Sequence, residues 1–316
     1  MNITTVIPAY KPKYLSELLT ALYHQTVRPE RVIFSDDSPD RAFRAALESA
    51  PVMSAMADMN IDVIDGPRAG AFANCRHLLQ AWRGSTQLVH FLLDDDIIYP
   101  EFYERHLALH AAGAVDCSVS RRWTSLEAGL PVGRLPAPEQ IVSHHQRVLS
   151  LGSDFLFATT LPSCNNWLGE LSHAVFNREV SGLLEEPRLA GISFEGLGDV
   201  GLFLSASLKK PIGFLNEALG YFRLNPAQNT QQTSSRDFKA GHLAWIALGL
   251  AARRLNKLPP EQVTQCFRTI GVLIMKRFAG VEDMLPFCEL VPHLVRGDAS
   301  AGERFLESWE AFIDSR

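Results

Sequence analysis

The first hundred residues alternate between two hydrophobic periods. Ile3 to Ile7 is a short β-rich run ended by Pro8. Leu15, Leu18, Leu19 and Leu22 then recur at helical spacing, and Arg28-Pro29 supplies a turn. Arg31 to Ser35 reads as a second strand, closed by Asp36-Asp37-Ser38-Pro39. A helix is expected from about Asp40 to Ser49, a strand around Ile61 to Ile64 and a turn at Asp65-Gly66-Pro67. Ala71 to Trp82 carries a helical pattern, and Leu88 to Leu93 reads as a fully buried strand. This strand–helix alternation predicts an α/β domain around a mainly parallel sheet. In such sheets ligands bind beyond the carboxyl ends of the strands. Three of these ends carry polar groups: Pro8-Ala9-Tyr10, Asp36-Asp37-Ser38 and Asp94-Asp95-Asp96. The expected topology brings them to one edge of the sheet.

Further along, the pattern loosens. Arg121 to His145 is rich in Pro, Gly and charge and is expected to be a long loop or mobile flap. Gly191 to Ala206 and Ile212 to Arg223 regain structured patterns. After Thr233 the chain reads as helix to its end. Val263, Cys266, Phe267, Ile270, Ile274 and Phe278 form one apolar face, and Phe305, Leu306, Trp309, Phe312 and Ile313 form another. A division follows into residues 1–233 and a helical part, 234–316.

Composition narrows the classes. The chain has 316 residues, 47% apolar and 21% charged, which is ordinary globular usage and excludes wholesale disorder, collagen and coiled coil. The net charge of −5 argues against a dedicated nucleic-acid binder. The five cysteines are scattered without a C-x-x-C pair, which argues against a disulfide framework or zinc knuckle and for a cytoplasmic setting. The opening Met1 to Pro8 lacks the pattern of a signal peptide. The apolar run Leu243 to Ala252 is about half of what a membrane span needs. Peripheral contact at the inner membrane face stays compatible with this composition.

The strongest chemical signal is the strand His90 to Leu93 delivering Asp94, Asp95 and Asp96. Two like charges about 4 Å apart repel by roughly 4 kcal/mol at an effective dielectric of 20. A bound divalent cation, protonation or solvent must offset this. Mg²⁺ or Mn²⁺ with oxygen ligands is the economical answer, because either takes one or two carboxylates, waters and substrate phosphates. The plain alternative is a solvated acidic turn. Asp36 and Asp37 can accept a base N–H or a ribose hydroxyl, or can form an Asx turn or helix cap. Gly66-Pro67-Arg68 to Asn74 and Arg76 precedes and opens a helix and can face a phosphate, although it is neither a Walker A loop nor G-x-G-x-x-G. Asp199 opens an apolar helical run, as a cap or as a general base. Tyr221 to Asn229 reads as a polar loop after a strand. His106 and His110 have metal-ligand spacing without the Glu of H-E-x-x-H and belong on an ordinary helix. His144 and His145 read as loop, and Trp123 and Trp167 as packing or as sugar-stacking rings.

Taken together, these residues resemble a family-2 glycosyltransferase of the GT-A fold. The resemblance runs from about Asn2 to Gln228. Val6 to Tyr10 is similar to the family's opening strand and nucleotide loop, which implies Pro8, Ala9 and Tyr10 at the nucleotide. Asp36-Asp37-Ser38 resembles an Asp-Asp-Gly-Ser turn whose Asp contacts the base, here without the Gly. Arg68 and Asn74 fall where the family has a segment along the nucleotide. Asp94-Asp95-Asp96 is similar to the Asp-x-Asp motif, which implies Asp94 on the ribose side, Asp95 in the same nucleotide loop, and metal at Asp96 with Asp94. Gly198-Asp199 resembles a Glu-Asp motif whose Asp is the catalytic base. Tyr221 to Gln228 resembles a Tyr-Arg-x-His-Pro loop, with Asn225 in place of the His.

The resemblance implies a GT-A sheet flanked by helices with a C-terminal helical extension. Residues 1–98 would form a nucleotide-sugar half and 99–233 an acceptor and catalytic half. It also implies a metal-dependent, inverting transferase that uses Mn²⁺ or Mg²⁺ and a nucleotide-diphosphate sugar. UDP is the expected carrier, and the acceptor a glycan, lipid-linked or protein hydroxyl, as in cell-surface polysaccharide synthesis. Two rivals keep a place. One is a non-catalytic nucleotide-sugar binder, suggested by Gly198 and Asn225. The other is a haloacid-dehalogenase-type phosphatase, which also uses Asp-x-Asp after a strand but expects it near the chain start.

Overall fold

The computed structural model describes residues 1–49, 51, 56–224 and 234–315. Strands β1 (Ile3–Ala9), β2 (Arg31–Asp36), β3 (Ile61–Asp65) and β4 (Leu88–Phe91) alternate with helices α1 (Leu15–Tyr23), α2 (Ala42–Ser49) and α3 (Ala71–Trp82). Next come β5 (Ile97–Ile98), α4 (Phe102–Ala111), β6 (Cys117–Ser125), β7 (Pro131–Arg134), α5 (Glu139–Val142), β8 (Val148–Leu151) and α6 (Ser153–Thr160). Then follow β9 (Ala174–Asn177), α7 (Arg178–Glu185), β10 (Arg188–Leu189), β11 (Ile192–Ser193), α8 (Gly198–Ser207) and β12 (Ile212–Arg223). The last helices are α9 (Arg236–Arg254), α10 (Pro260–Phe278), α11 (Leu285–Val295) and α12 (Ala299–Asp314).

The chain divides into two compact units. The first comprises Met1–Ser150, Leu168–Glu185 and Lys210–Asn225. It holds a sheet ordered β3-β2-β1-β4-β9-β6-β12-β5. β3, β2, β1 and β4 run parallel, as the helical crossovers between them require. Beyond β4 the sheet is mixed, because β9 lies antiparallel to both β4 and β6. The parallel register carries the ends of β1, β2 and β4 to one edge. Leu18, Leu19 and Leu22 of α1, Phe43 and Leu47 of α2, and Phe102 and Tyr103 of α4 pack in one buried cluster with strand residues such as Ile7 and Phe34.

The second unit comprises Leu151–Trp167, Glu186–Lys209 and, within Pro226–Arg316, the described residues 234–315. The apolar face of α10 expected from the sequence is buried throughout, and so are Phe305 and Trp309 of α12. Trp309 also donates its ring N–H to Ser193 O at 2.9 Å.

Two expectations need correction. Residues 121–145 are not one long loop: β6 and β7 pair antiparallel and α5 follows. The charges that mimic a loop find partners in place. Arg122 forks onto Glu170 at 2.8 and 2.6 Å and lies over the Phe222 ring, and Arg134 lies over Trp123. The helix expected from Asp40 begins at Ala42, after a 3₁₀ turn in which Asp40 and Arg41 take positive φ values of 52° and 56°.

Candidate active site

The strand edge is built from β1 outward. Pro8 and Ala9 close β1, with Ala9 fully buried, and Tyr10 turns outward at 53% exposure. The chain beyond β4 runs beside this loop, because β1 and β4 are parallel neighbours. Asp94 Oδ2 therefore accepts the N–H groups of Tyr10 and Lys11, at 2.7 and 2.6 Å. Such charge-assisted bonds are roughly twice as strong as neutral ones. Asp95 Oδ2 lies 3.9 Å from Lys11 Nζ. Asp96 is completely buried. Its Oδ1 accepts the Arg223 N–H at 3.2 Å, and its Oδ2 has no hydrogen-bond partner among the described residues.

Burial makes these carboxylates hard to ionise. It pushes Asp94 up to about 6, a shift reinforced by the Asp95 charge and opposed by the Lys11 and Tyr10 N–H groups. Asp95 is raised by burial, against the pull of Lys11 and Arg223. Asp96 is raised well above the ordinary range, by burial and then by the Asp95 charge, against the Ser172 hydroxyl and the Arg223 N–H.

Arg223, at the end of β12, underpins the triplet. Its Nε donates to Asp95 O at 2.9 Å, its Nη2 to Glu17 Oε2 at 2.7 Å, and its Nη1 to Glu127 O. The guanidinium lies 4.1 Å from the Tyr14 ring centroid, and the side chain is fully buried.

At the end of β2 the two aspartates separate in role. Asp36 is buried and fully engaged: Oδ1 accepts the Ser38 N–H and hydroxyl at 2.9 and 2.6 Å, and Oδ2 accepts the Arg44 N–H at 3.0 Å. It holds its own turn together and caps the chain entering α2. Asp37 is half-buried, and its Oδ1 accepts the Arg68 N–H. Gly66 approaches so closely that a Cβ there would lie 2.6 Å from Asp37 Oδ1. The Arg68 side chain is exposed, on a residue with φ of 54°. Asn74, buried in α3, donates Nδ2 to Ser35 O at 3.1 Å, while its Oδ1 has no partner among the described residues.

In the second unit, Asp199 is the second residue of α8, where the helix dipole favours an anion. Its Oδ1 accepts the Val200 N–H at 2.8 Å, and its Oδ2 accepts Asn166 Nδ2 at 2.7 Å. Asn225 and Gln228 lie outside the described residues.

Residues 4–158 match the family model described as glycosyl transferase family 2. This stretch of the chain belongs to glycosyl transferase family 2. The chain is therefore a glycosyltransferase, and its sheet is that of a GT-A fold. The 1–349 portion of S. aureus TarS, solved with UDP-GlcNAc, is similar over 100% of this chain and 93% of its own, at 16% identity and a TM-score of 0.54. A mannosyltransferase from Pyrobaculum calidifontis, PcManGT, solved with GDP-Man and Mn²⁺, is similar over 100% of this chain and 88% of its own, at 12% identity and a TM-score of 0.51. At these identities the likeness is one of fold. Comparison with curated proteins finds no match.

The glycosyltransferase has no ready-made metal cage: no group of three or more His, Cys, Asp and Glu residues suited to a metal ion occurs among the described residues. Its aspartate turn nevertheless fits a cation that takes only one or two carboxylates and fills its shell with water and phosphate. The unpartnered, buried Asp96 Oδ2 is the atom such an ion would satisfy.

Sequence reasoning missed three residues that hold these candidate side chains in place. Lys11 directly follows the predicted Tyr10 but belongs to no motif that the sequence offers. Arg223 lies within a motif that was read, yet only its neighbour at 225 drew attention. Asn166 has no sequence signal, because its partner lies 33 positions away.

Proposed function

We propose that the glycosyltransferase moves a sugar from a nucleotide diphosphate, with UDP as carrier, to an acceptor hydroxyl with inversion at the anomeric carbon. The observation that carries this reading is the buried aspartate turn, with Asp94 locked to the Tyr10–Lys11 loop and Asp96 presenting an unsatisfied oxygen. On this reading Pro8, Ala9 and Tyr10 border the nucleotide. Asp37 with Arg68 takes its base and ribose, because Asp36 is consumed by its own turn. Asn74 steadies that wall through Ser35. Asp94 and Asp95 face the ribose and diphosphate.

Asp96, with Asp94, would hold Mn²⁺ or Mg²⁺, whose charge stabilises the leaving diphosphate. Asp199 takes the acceptor's proton as its oxygen attacks C1. The bond from C1 to the diphosphate oxygen breaks on the opposite face, and no covalent sugar–protein species forms. The reading places 1–233 as the transferase part and 234–316 as a helical addition. It expects a cytoplasmic protein that acts on a glycan, lipid-linked or protein acceptor, in work such as polysaccharide synthesis. No helix among the described residues is long and apolar enough to cross a membrane.

A thermal-shift screen tests this directly. UDP-GlcNAc, other UDP-sugars and GDP-Man are compared with and without Mn²⁺, followed by assay of nucleotide release. A UDP-sugar that stabilises the protein only with Mn²⁺ and is turned over supports the reading. Binding without turnover points to a non-catalytic binder, and release of phosphate from simple monoesters to a phosphatase.

A further inference from the structure

Asp199 is held at both carboxylate oxygens, by Val200 N–H on one and by Asn166 on the other. The first bond comes with the helix turn. The second comes from a separate segment, the turn after α6, so it must be built. We propose that Asn166 is a positioning residue, which fixes the Asp199 carboxylate in one rotamer and favours its ionised form. The proposal rests on the reading of Asp199 as the base.

The turn that delivers Asn166 is pinned on both sides. Asn165 N–H donates to Thr160 O at 3.1 Å and Cys164 N–H to Leu161 O at 3.0 Å, which closes the end of α6. Thr269 Oγ1 on α10 donates to Pro162 O at 2.9 Å, and Cys164 Sγ lies 3.7 Å from Cys266 Sγ on the same helix. On the other side the buried Trp167 donates its ring N–H to Thr159 Oγ1 at 3.2 Å. The amide of Asn166 is therefore presented by an anchored backbone rather than by a free loop.

The choice of an amide has a chemical reason. A hydrogen bond to the charged form favours the carboxylate, so the base is ready before the acceptor arrives. A lysine or arginine there would also favour it, but by a full charge, and would weaken the pull on the acceptor's proton. A neutral donor orients the group and leaves its basicity in a useful range. Gly198, immediately before Asp199, has no side chain to take this role.

The test compares Asn166→Ala, Asn166→Gln, Asp199→Asn and the double variant Asn166→Ala/Asp199→Asn. Turnover is read as UDP released from UDP-GlcNAc with Mn²⁺, as a function of pH. Nucleotide affinity is measured by calorimetry with UDP. Asn166→Ala should lower kcat about tenfold with UDP affinity unchanged, and should move the acidic limb of the profile to higher pH. Asn166→Gln, which keeps the donor, should recover part of both. The double variant should be no slower than Asp199→Asn alone. A readout independent of turnover is carboxyl ¹³C NMR on protein labelled at aspartate. The Asp199 resonance, assigned by its loss in Asp199→Asn, should titrate about one pH unit higher in Asn166→Ala. An unchanged titration, or an unchanged pH limb in a variant that turns over, overturns the proposal. If Asp199→Asn itself keeps full turnover, the base reading fails instead, and the two failures are thereby told apart.

Discussion

Arg223 holds Asp96 by its backbone and not by its charge. Its N–H donates to Asp96 Oδ1 at 3.2 Å, while its guanidinium passes beneath to Asp95 O, Glu127 O and Glu17. The residue thus ties the aspartate turn to the end of β12, to the chain just beyond β6 and to α1 at once. Its cation sits under a cluster of carboxylates without neutralising Asp96 directly.

Replacing Arg223 with Met should therefore cost more than one ion pair. The buried Asp95 O loses its donor, at about 1–3 kcal/mol for an acceptor left unsatisfied, and the Glu127 O and Glu17 contacts go with it. The aspartate turn should loosen with them. Chemical denaturation should show destabilisation by about 3 kcal/mol, and UDP titration should show weakened binding. Arg223→Lys should recover little, because a single ammonium cannot span the same partners. Native-like stability in Arg223→Met would show that the clamp is dispensable.

Much of the first unit was legible in the sequence because its signals are local. Leu15, Leu18, Leu19 and Leu22 announce α1, and all four are buried. The helix read over Ala71 to Trp82 coincides with α3. The hairpin of β6 and β7 was not legible, because its charged residues look like loop until Glu170 and the rings of Phe222 and Trp123 are in place. The clustering of the aspartate turn with the Tyr10 loop followed from strand order. The division of labour between Asp36 and Asp37 did not, because only the fold decides which carboxylate turns inward.

That division makes a paired prediction. Asp36→Ala removes the acceptor for two backbone N–H groups and the Ser38 hydroxyl, so it should destabilise the protein by about 1–2 kcal/mol. Asp37→Ala should leave the melting temperature nearly unchanged and weaken UDP binding about tenfold, the loss expected for one hydrogen bond to a charged group. Denaturation and calorimetry on the two variants check both halves. Interchanged phenotypes would reverse the assignment.

Asp96 should trade stability for binding. It is a fully buried carboxylate whose pKa is driven well up by burial and by Asp95, and one of its oxygens has no hydrogen-bond partner among the described residues. A neutral amide of the same shape removes that cost. Asp96→Asn should be at least as stable as the parent without metal, yet its affinity for UDP-GlcNAc should no longer respond to Mn²⁺. Calorimetry with and without Mn²⁺ reads this. An undiminished metal response in the variant would remove Asp96 from the metal site.

Acid sensitivity should arise elsewhere in the first unit, from its buried histidines. His90 meets Tyr103 OH at 3.0 Å and Ser172 O at 2.9 Å. His106 and His110 share Ser118 Oγ at 2.7 and 2.9 Å. Burial lowers His90 and His110 to about 4, with the Ser172 carbonyl pulling His90 back up and the Val175 carbonyl and Asp116 doing the same for His110. Burial also lowers His106 and His173 well below the ordinary value, helped by neighbouring histidines and, for His173, by Arg122. A histidine whose folded pKa is depressed takes up a proton on unfolding. Its contribution is complete above about pH 6.5 and is lost as pH falls toward 4. At pH 5 the loss is about 2 kcal/mol for each of His90 and His110. Asp94 acts in the opposite sense. Its raised pKa favours the fold as pH falls through about 6, a gain of about 1 kcal/mol at pH 5. Asp95 and Asp96, raised by the same burial, act with Asp94, so the net loss at pH 5 relative to pH 7 should be smaller than the four histidines alone would give. His90→Gln should begin less stable at pH 7 but lose about 2 kcal/mol less on the way to pH 5. An identical pH slope in parent and variant would show that His90 does not titrate across folding.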